Sequence, residues 1–80
     1  MRRTLADPIR FLLRGDHIAL DALLKATGLA SSGGGAKVLI AGGAVRVNGE
    51  AETRRGRKLR AGDQVAIDDA VVRLEPQHPA

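Results

Sequence analysis

SSGGGAKVLIAGGAVRVNGE, residues Ser31 to Glu50, is the stretch from which the fold is read. It contains a glycine-rich turn, a short apolar helix, a glycine stop and a strand that ends in Asn-Gly. Ser32 is placed to cap a helix whose first turn is Gly33, Gly34 and Gly35, with Ala36, Leu39 and Ile40 on one face at helical spacing. Gly42 or Gly43 ends it. Each glycine in a helical turn costs roughly 1 kcal/mol relative to alanine, so this helix start is locally weak. Backbone N–H groups without side chains around them suit the close approach of an anion such as phosphate. The same run would also serve as a flexible connector, and the glycines alone do not separate the two readings.

Beyond the glycine stop, Val45 and Val47 point one way and Arg46 the other, as in a half-buried strand. Asn48-Gly49 then predicts a type I′ hairpin turn, which needs positive φ at both positions. The return arm, Glu50 to Thr53, is polar and weak as a strand. Leu59 is the only large apolar residue between Val47 and Val65, which makes it the anchor of the intervening basic segment. Gly62-Asp63 reads as a turn, Val65 and Ile67 as the inward residues of a strand, Asp69-Ala70 as another turn, and Val72 and Leu74 as the core face of a last strand.

Upstream of the glycine turn, Ile9, Phe11 and Leu13 alternate with Arg10 and Arg14, giving a short edge strand that begins after Pro8. Asp16 or His17 can open a first helix of about ten residues, in which Leu20, Leu23, Leu24 and Thr27 recur at helical spacing and Gly28 is placed to end it. The connector from Gly28 to Ser32 is short enough to hold the two helices as a hairpin and bring Lys25 towards the glycine turn. The expected architecture is therefore α+β, a two-helix hairpin packed on a small, mostly antiparallel sheet. One domain is expected over residues 8–75, with tails at 1–7 and 76–80.

Eighty residues are near the lower limit for a core without staples, and no cysteine is present to form any. A hydrophobic share of 44% supplies a modest core and excludes a disordered chain. No run approaches the length of a membrane span, and Arg10 and Arg14 interrupt the apolar stretch that a signal beginning Met1-Arg2-Arg3 would need. A cytoplasmic protein is the expectation. The net charge is +4, and its placement is uneven. Between Arg46 and Arg60, six basic residues stand against Glu50 and Glu52, while the remaining chain balances seven against seven. Such concentration points to a polyanionic partner, although a solvated loop would carry the same residues.

Other chemistry finds little support. His17 and His78 lie far apart, Asp68-Asp69 reads as turn residues, and no set with metal-ligand spacing exists, so neither catalysis, a metal nor a cofactor is expected. Around Lys37 the glycines match neither a Walker loop nor a dinucleotide fingerprint. Phe11 is the single aromatic residue, which argues against recognition by base stacking and for contacts to phosphate and folded shape. As a reading helix for DNA, the second helix offers only Lys37 among small and apolar residues, so no DNA specificity is expected.

Together, Leu23-Leu24-Lys25, Ser31-Ser32, Ala36-Lys37, Ile40 through Gly43 to Val45, Val47-Asn48-Gly49 and Gly62-Asp63-Gln64-Val65 resemble a known family. It is the RNA-binding domain named after ribosomal small-subunit protein four, the S-four domain or alpha-L motif. The Ser-Gly-Gly turn and Glu52-Thr53-Arg54-Arg55 are most similar to its small stand-alone bacterial members. The resemblance implies a non-catalytic module that binds structured RNA, commonly ribosomal or transfer RNA, with possible ribosome association. By position it implies contacts from Lys25, Ser32, Gly34, Lys37, Arg46 and Asn48, to which the charge cluster adds Arg54, Arg55, Arg57 and Lys58. Many members carry arginine in the turn before Ala36; this chain has Gly33, Gly34 and Gly35, which makes backbone N–H contact the alternative. The competing reading, from another class, is a protein-interaction adaptor docking on a ribosomal protein or an RNA-modifying enzyme.

Overall fold

A computed structural model describes residues 8–77, so the expected tail at 1–7 and His78 lie outside the described residues. Nine elements follow in order: β1 (Ile9–Leu13), β2 (Ile18–Ala19), α1 (Leu20–Ala26), α2 (Gly33–Ala41), β3 (Val45–Val47), β4 (Glu50–Ala51), β5 (Lys58–Leu59), β6 (Gln64–Ile67) and β7 (Ala70–Pro76). Five strands form one sheet in the order β1-β7-β6-β3-β4, and β2 pairs with β5 in a second, two-stranded sheet. Only β1 and β7 run parallel, with Ile9 opposite Val72 and Leu13 opposite Pro76. The class is α+β with a mostly antiparallel sheet.

Local chemistry explains most of these elements. Ser32 Oγ accepts a hydrogen bond from Gly35 N at 3.0 Å, capping α2 where the sequence placed the cap. At its other end, Gly43 N donates to Ile40 O and Ala44 N to Leu39 O, the paired bonds of a Schellman stop, with Gly43 at φ +83°. Asn48 and Gly49 sit at φ +52° and +88°, as a type I′ turn requires, and they place Val47 opposite Glu50. The alternating strand residues Val45, Val47, Val65, Ile67, Val72 and Leu74 all enter one core. Leu20, Leu23, Leu24, Ala36 and Ile40 enter it from the helices, and Leu59 is fully buried among them.

Three local expectations are corrected. First, neither Asp16 nor His17 opens the first helix. Ile18 and Ala19 are drawn into β2 by pairing with Leu59 and Lys58, so α1 starts at Leu20 and spans seven residues. Ala19, at the N-cap position, provides no side-chain bond. Leu20 N donates instead to Arg57 O at 2.9 Å and Asp21 N to Arg55 O at 3.1 Å, so a distant loop satisfies N–H groups that a local cap would otherwise take. Second, the turn between the last two strands is Asp68-Asp69, with Asp68 at φ +51°, and Ala70 already pairs with Ile67. Third, β7 continues through Pro76, which pairs with Leu13 of β1 but lies beyond Arg73, the last β7 residue in register with β6, so no β6 acceptor there needs a proline N–H.

Candidate nucleic-acid interface

The helical candidates are presented to solvent. Lys25 lies in the last turn of α1 and Lys37 in α2, both exposed, and neither makes a side-chain hydrogen bond or ion pair among the described residues. Ser32 is exposed but its Oγ is committed to capping. Gly34 is exposed, and a methyl group built there would meet only Ser32 Oγ, at 3.9 Å; at Gly33 it would meet nothing within 4 Å. No internal crowding accounts for these two helical glycines.

On β3, Arg46 leaves the strand on the face opposite Val45 and Val47, so it is not on the core side of the sheet to which the helices contribute. Its Nη1 reaches Gly49 O at 3.5 Å. Asn48 is occupied at both ends of its amide: Gln64 N donates to Oδ1 at 2.9 Å, and Nδ2 donates to Asp63 Oδ1 at 3.1 Å. Asp63 uses its other oxygen to accept from Arg60 N at 2.8 Å. Asn48 thus ties the β3–β4 turn to the start of β6.

The basic segment is an ordered structure built around an acid. Glu52 has a relative exposure of 6% and is the one buried charged residue among those described. It accepts from Arg54 N at 3.0 Å, from Arg54 Nε at 3.0 Å and Nη2 at 3.3 Å, and from Arg57 Nη1 at 2.6 Å. These bonds, first that of the Arg54 guanidinium and then that of Arg57, hold its carboxyl well below the ordinary 4.5, at about 2. Reciprocally, Glu52 raises the pKa of Arg54. Arg55 and Lys58 are exposed and make no such side-chain bond among the described residues, whereas the Arg57 side chain is 34% exposed against Glu52.

The candidates therefore fall into three sets. The helices carry Lys25, Ser32, Gly34 and Lys37. The segment from Arg54 to Lys58 packs against the start of α1 through the Arg55 and Arg57 carbonyls and the Lys58–Ala19 pair. Arg46 on β3 and Asn48 in the turn that follows it stand apart. Glu52 enters the sequence reading as a charge and within the Glu52-Thr53-Arg54-Arg55 resemblance, not as the anchor of the loop; its spacing to Arg54 and Arg57 is the available signal, but exposed acids occur at the same spacing.

A family model described as the S4 domain matches residues 11–75. The chain belongs to the S4 domain family. It is 46% identical over 51 residues, 64% of its own length and 73% of the relative's, to the Escherichia coli (strain K12) protein named "Putative RNA-binding protein YbcJ". The Shigella flexneri protein named "Uncharacterized protein YbcJ" matches to the same extent. The first of these relatives carries RNA binding in its name. Among the described residues of this S4 domain, no three His, Cys, Asp or Glu side chains gather to hold a metal ion, and no helix is long and apolar enough to cross a membrane.

Proposed function

We propose that this S4 domain is a non-catalytic protein that recognises structured RNA, ribosomal or transfer RNA being the expected class, by phosphate and shape. The proposed face comprises Lys25, Ser32, Gly34 and Lys37 on the helices together with the loop from Arg54 through Arg55 and Arg57 to Lys58, with Arg46 and Asn48 at its border. The observation that carries the reading is the ordered cationic loop docked at the start of α1, on which Arg54, Arg55 and Lys58 are exposed. A folded RNA offers closely spaced phosphates to such a loop, and a protein with one aromatic residue has few means of stacking on unpaired bases.

Fluorescence anisotropy against a folded ribosomal RNA fragment, a single strand of equal length and duplex DNA, each over a salt series, tests it. Four to six neutralised phosphates give a slope of about −3 to −5 in log affinity against log salt. Folded RNA binding most tightly at every salt concentration is the expected result. Equal binding to all three, lost together near physiological salt, overturns shape recognition.

A further inference from the structure

Glu52 presents a problem for a protein whose excess positive charge surrounds it. A carboxylate buried in a basic segment loses hydration, and its negative charge lowers the attraction of that segment for any polyanion. Yet four donors converge on it, and every connection of the loop runs outward from that point. Glu52 N donates to Val45 O at 2.9 Å, fixing the residue to β3. Arg54 and Arg57 fold back onto its two oxygens. The turn they enclose places the Arg55 and Arg57 carbonyls on the first N–H groups of α1, and β5 follows at once, with Lys58 opposite Ala19 and Leu59 buried.

Resting on the RNA-binding reading above, we propose that Glu52 is a positioning residue for RNA recognition. It holds Arg57 as a half-buried strut and fixes the exposed Arg54 in place, so that Arg54, Arg55 and Lys58 are the cations that the loop presents to phosphate. The loop is then organised before RNA arrives. A ligand meets three cations on a fixed backbone instead of four on a mobile one, and the ordering cost of binding falls. Only a target with phosphates at matching positions gains from this arrangement, so Glu52 confers preference for folded RNA at the expense of bulk attraction.

The two views of Glu52 predict opposite signs for Glu52→Gln. If only charge matters, removing an anion and freeing two arginines tightens binding to every polyanion and steepens the salt slope. If Glu52 positions the loop, affinity for the folded ribosomal RNA fragment falls by about ten-fold, the scale of one charge-assisted hydrogen bond, while duplex DNA binds as well as before or better. The measured quantity is the ratio of the two affinities in the wild type and in E52Q, with amide spectra confirming that the variant is folded. Arg57→Lys, which keeps the net charge but changes the strut, carries the test if E52Q does not fold. A lowered ratio in the folded variant supports the proposal, and an unchanged ratio overturns it. If the wild type itself shows no preference for folded RNA, the RNA reading fails together with this inference, whereas a wild-type preference retained in the variant removes the role of Glu52 alone.

Discussion

Asn48 and Asp63, fifteen residues apart, are joined by a 3.1 Å hydrogen bond from Asn48 Nδ2 to Asp63 Oδ1, so the Asn48-Gly49 turn is tied to the turn that precedes β6. The bond defines what Asn48 does for the fold: it adopts φ +52° and accepts from Gln64 N as well. Asn48→Ala should destabilise the domain by about 2 kcal/mol, combining left-handed strain with the lost bonds. Asn48→Gly keeps the backbone conformation and should cost less. Urea unfolding of the two variants separates strain from bonding.

The Glu52 carboxyl sits at about 2 in the folded protein, against an ordinary 4.5, because Arg54 and then Arg57 bond its charged form. A lowered folded-state value means that its contribution is complete above the ordinary value and is lost as pH falls towards 2. The wild type should therefore lose melting temperature over that acid window. E52Q should lose less across the same window, and parallel curves for the two proteins would refute the assignment.

Gly34→Ala should raise stability and lower RNA affinity together. Alanine favours the helix by up to about 1 kcal/mol, and its methyl group would meet only Ser32 Oγ at 3.9 Å. A rise of a few degrees in melting temperature is expected, as a domain of this size shifts about 4–8 °C per kcal/mol. Binding of the folded RNA fragment should weaken in the same variant. Retained affinity would show that the glycine start is not approached.

Arg46→Ala and Arg55→Ala remove the same charge from different places. Arg55 lies on the loop docked at α1, while Arg46 leaves the outer face of β3. Arg46→Ala should weaken folded RNA and duplex DNA alike and reduce the salt slope by about 1 or less. Arg55→Ala should reduce folded-RNA binding disproportionately. Single replacements are the informative ones here, because removing Arg54 and Arg57 together with Arg55 would strand Glu52 without its partners.

Leu59→Ala should cost about 3 kcal/mol, the middle of the range for an emptied leucine site, since Leu59 has no exposed surface. Hydrogen exchange should report the damage at a distance. The Leu20 and Asp21 amides, which bond to carbonyls of the loop that Leu59 anchors, should lose protection earlier than Val65 in β6.

How far the sequence reveals this architecture depends on how local each interaction is. The Ser32 cap, the Asn48-Gly49 turn and the inward valines are set by neighbours within a few residues, and they are legible. The β2–β5 pair is not, because two strands of two residues each have no periodicity and are defined by a partner about forty positions away. The start of α1 departs from the expected one for the same reason. Asp16 and His17 have the chemistry of helix openers, but the loop carbonyls supply the bonds three to four residues later. Among the candidate cations, the sequence identified the cluster but not its internal division, since nothing local distinguishes Arg57 turned towards Glu52 from Arg55 turned to solvent.

The parallel seam between β1 and β7 joins the first described strand to the last. Residues about sixty positions apart must meet before that edge of the sheet exists, and closing so large a loop is the slowest kind of contact a small domain makes. The antiparallel β3–β6–β7 meander can assemble first. During synthesis, Ile9, Phe11 and Leu13 must therefore wait for β7 to emerge more than fifty residues later, and β1 remains the last strand of the sheet to be protected from proteases and from pairing with another copy.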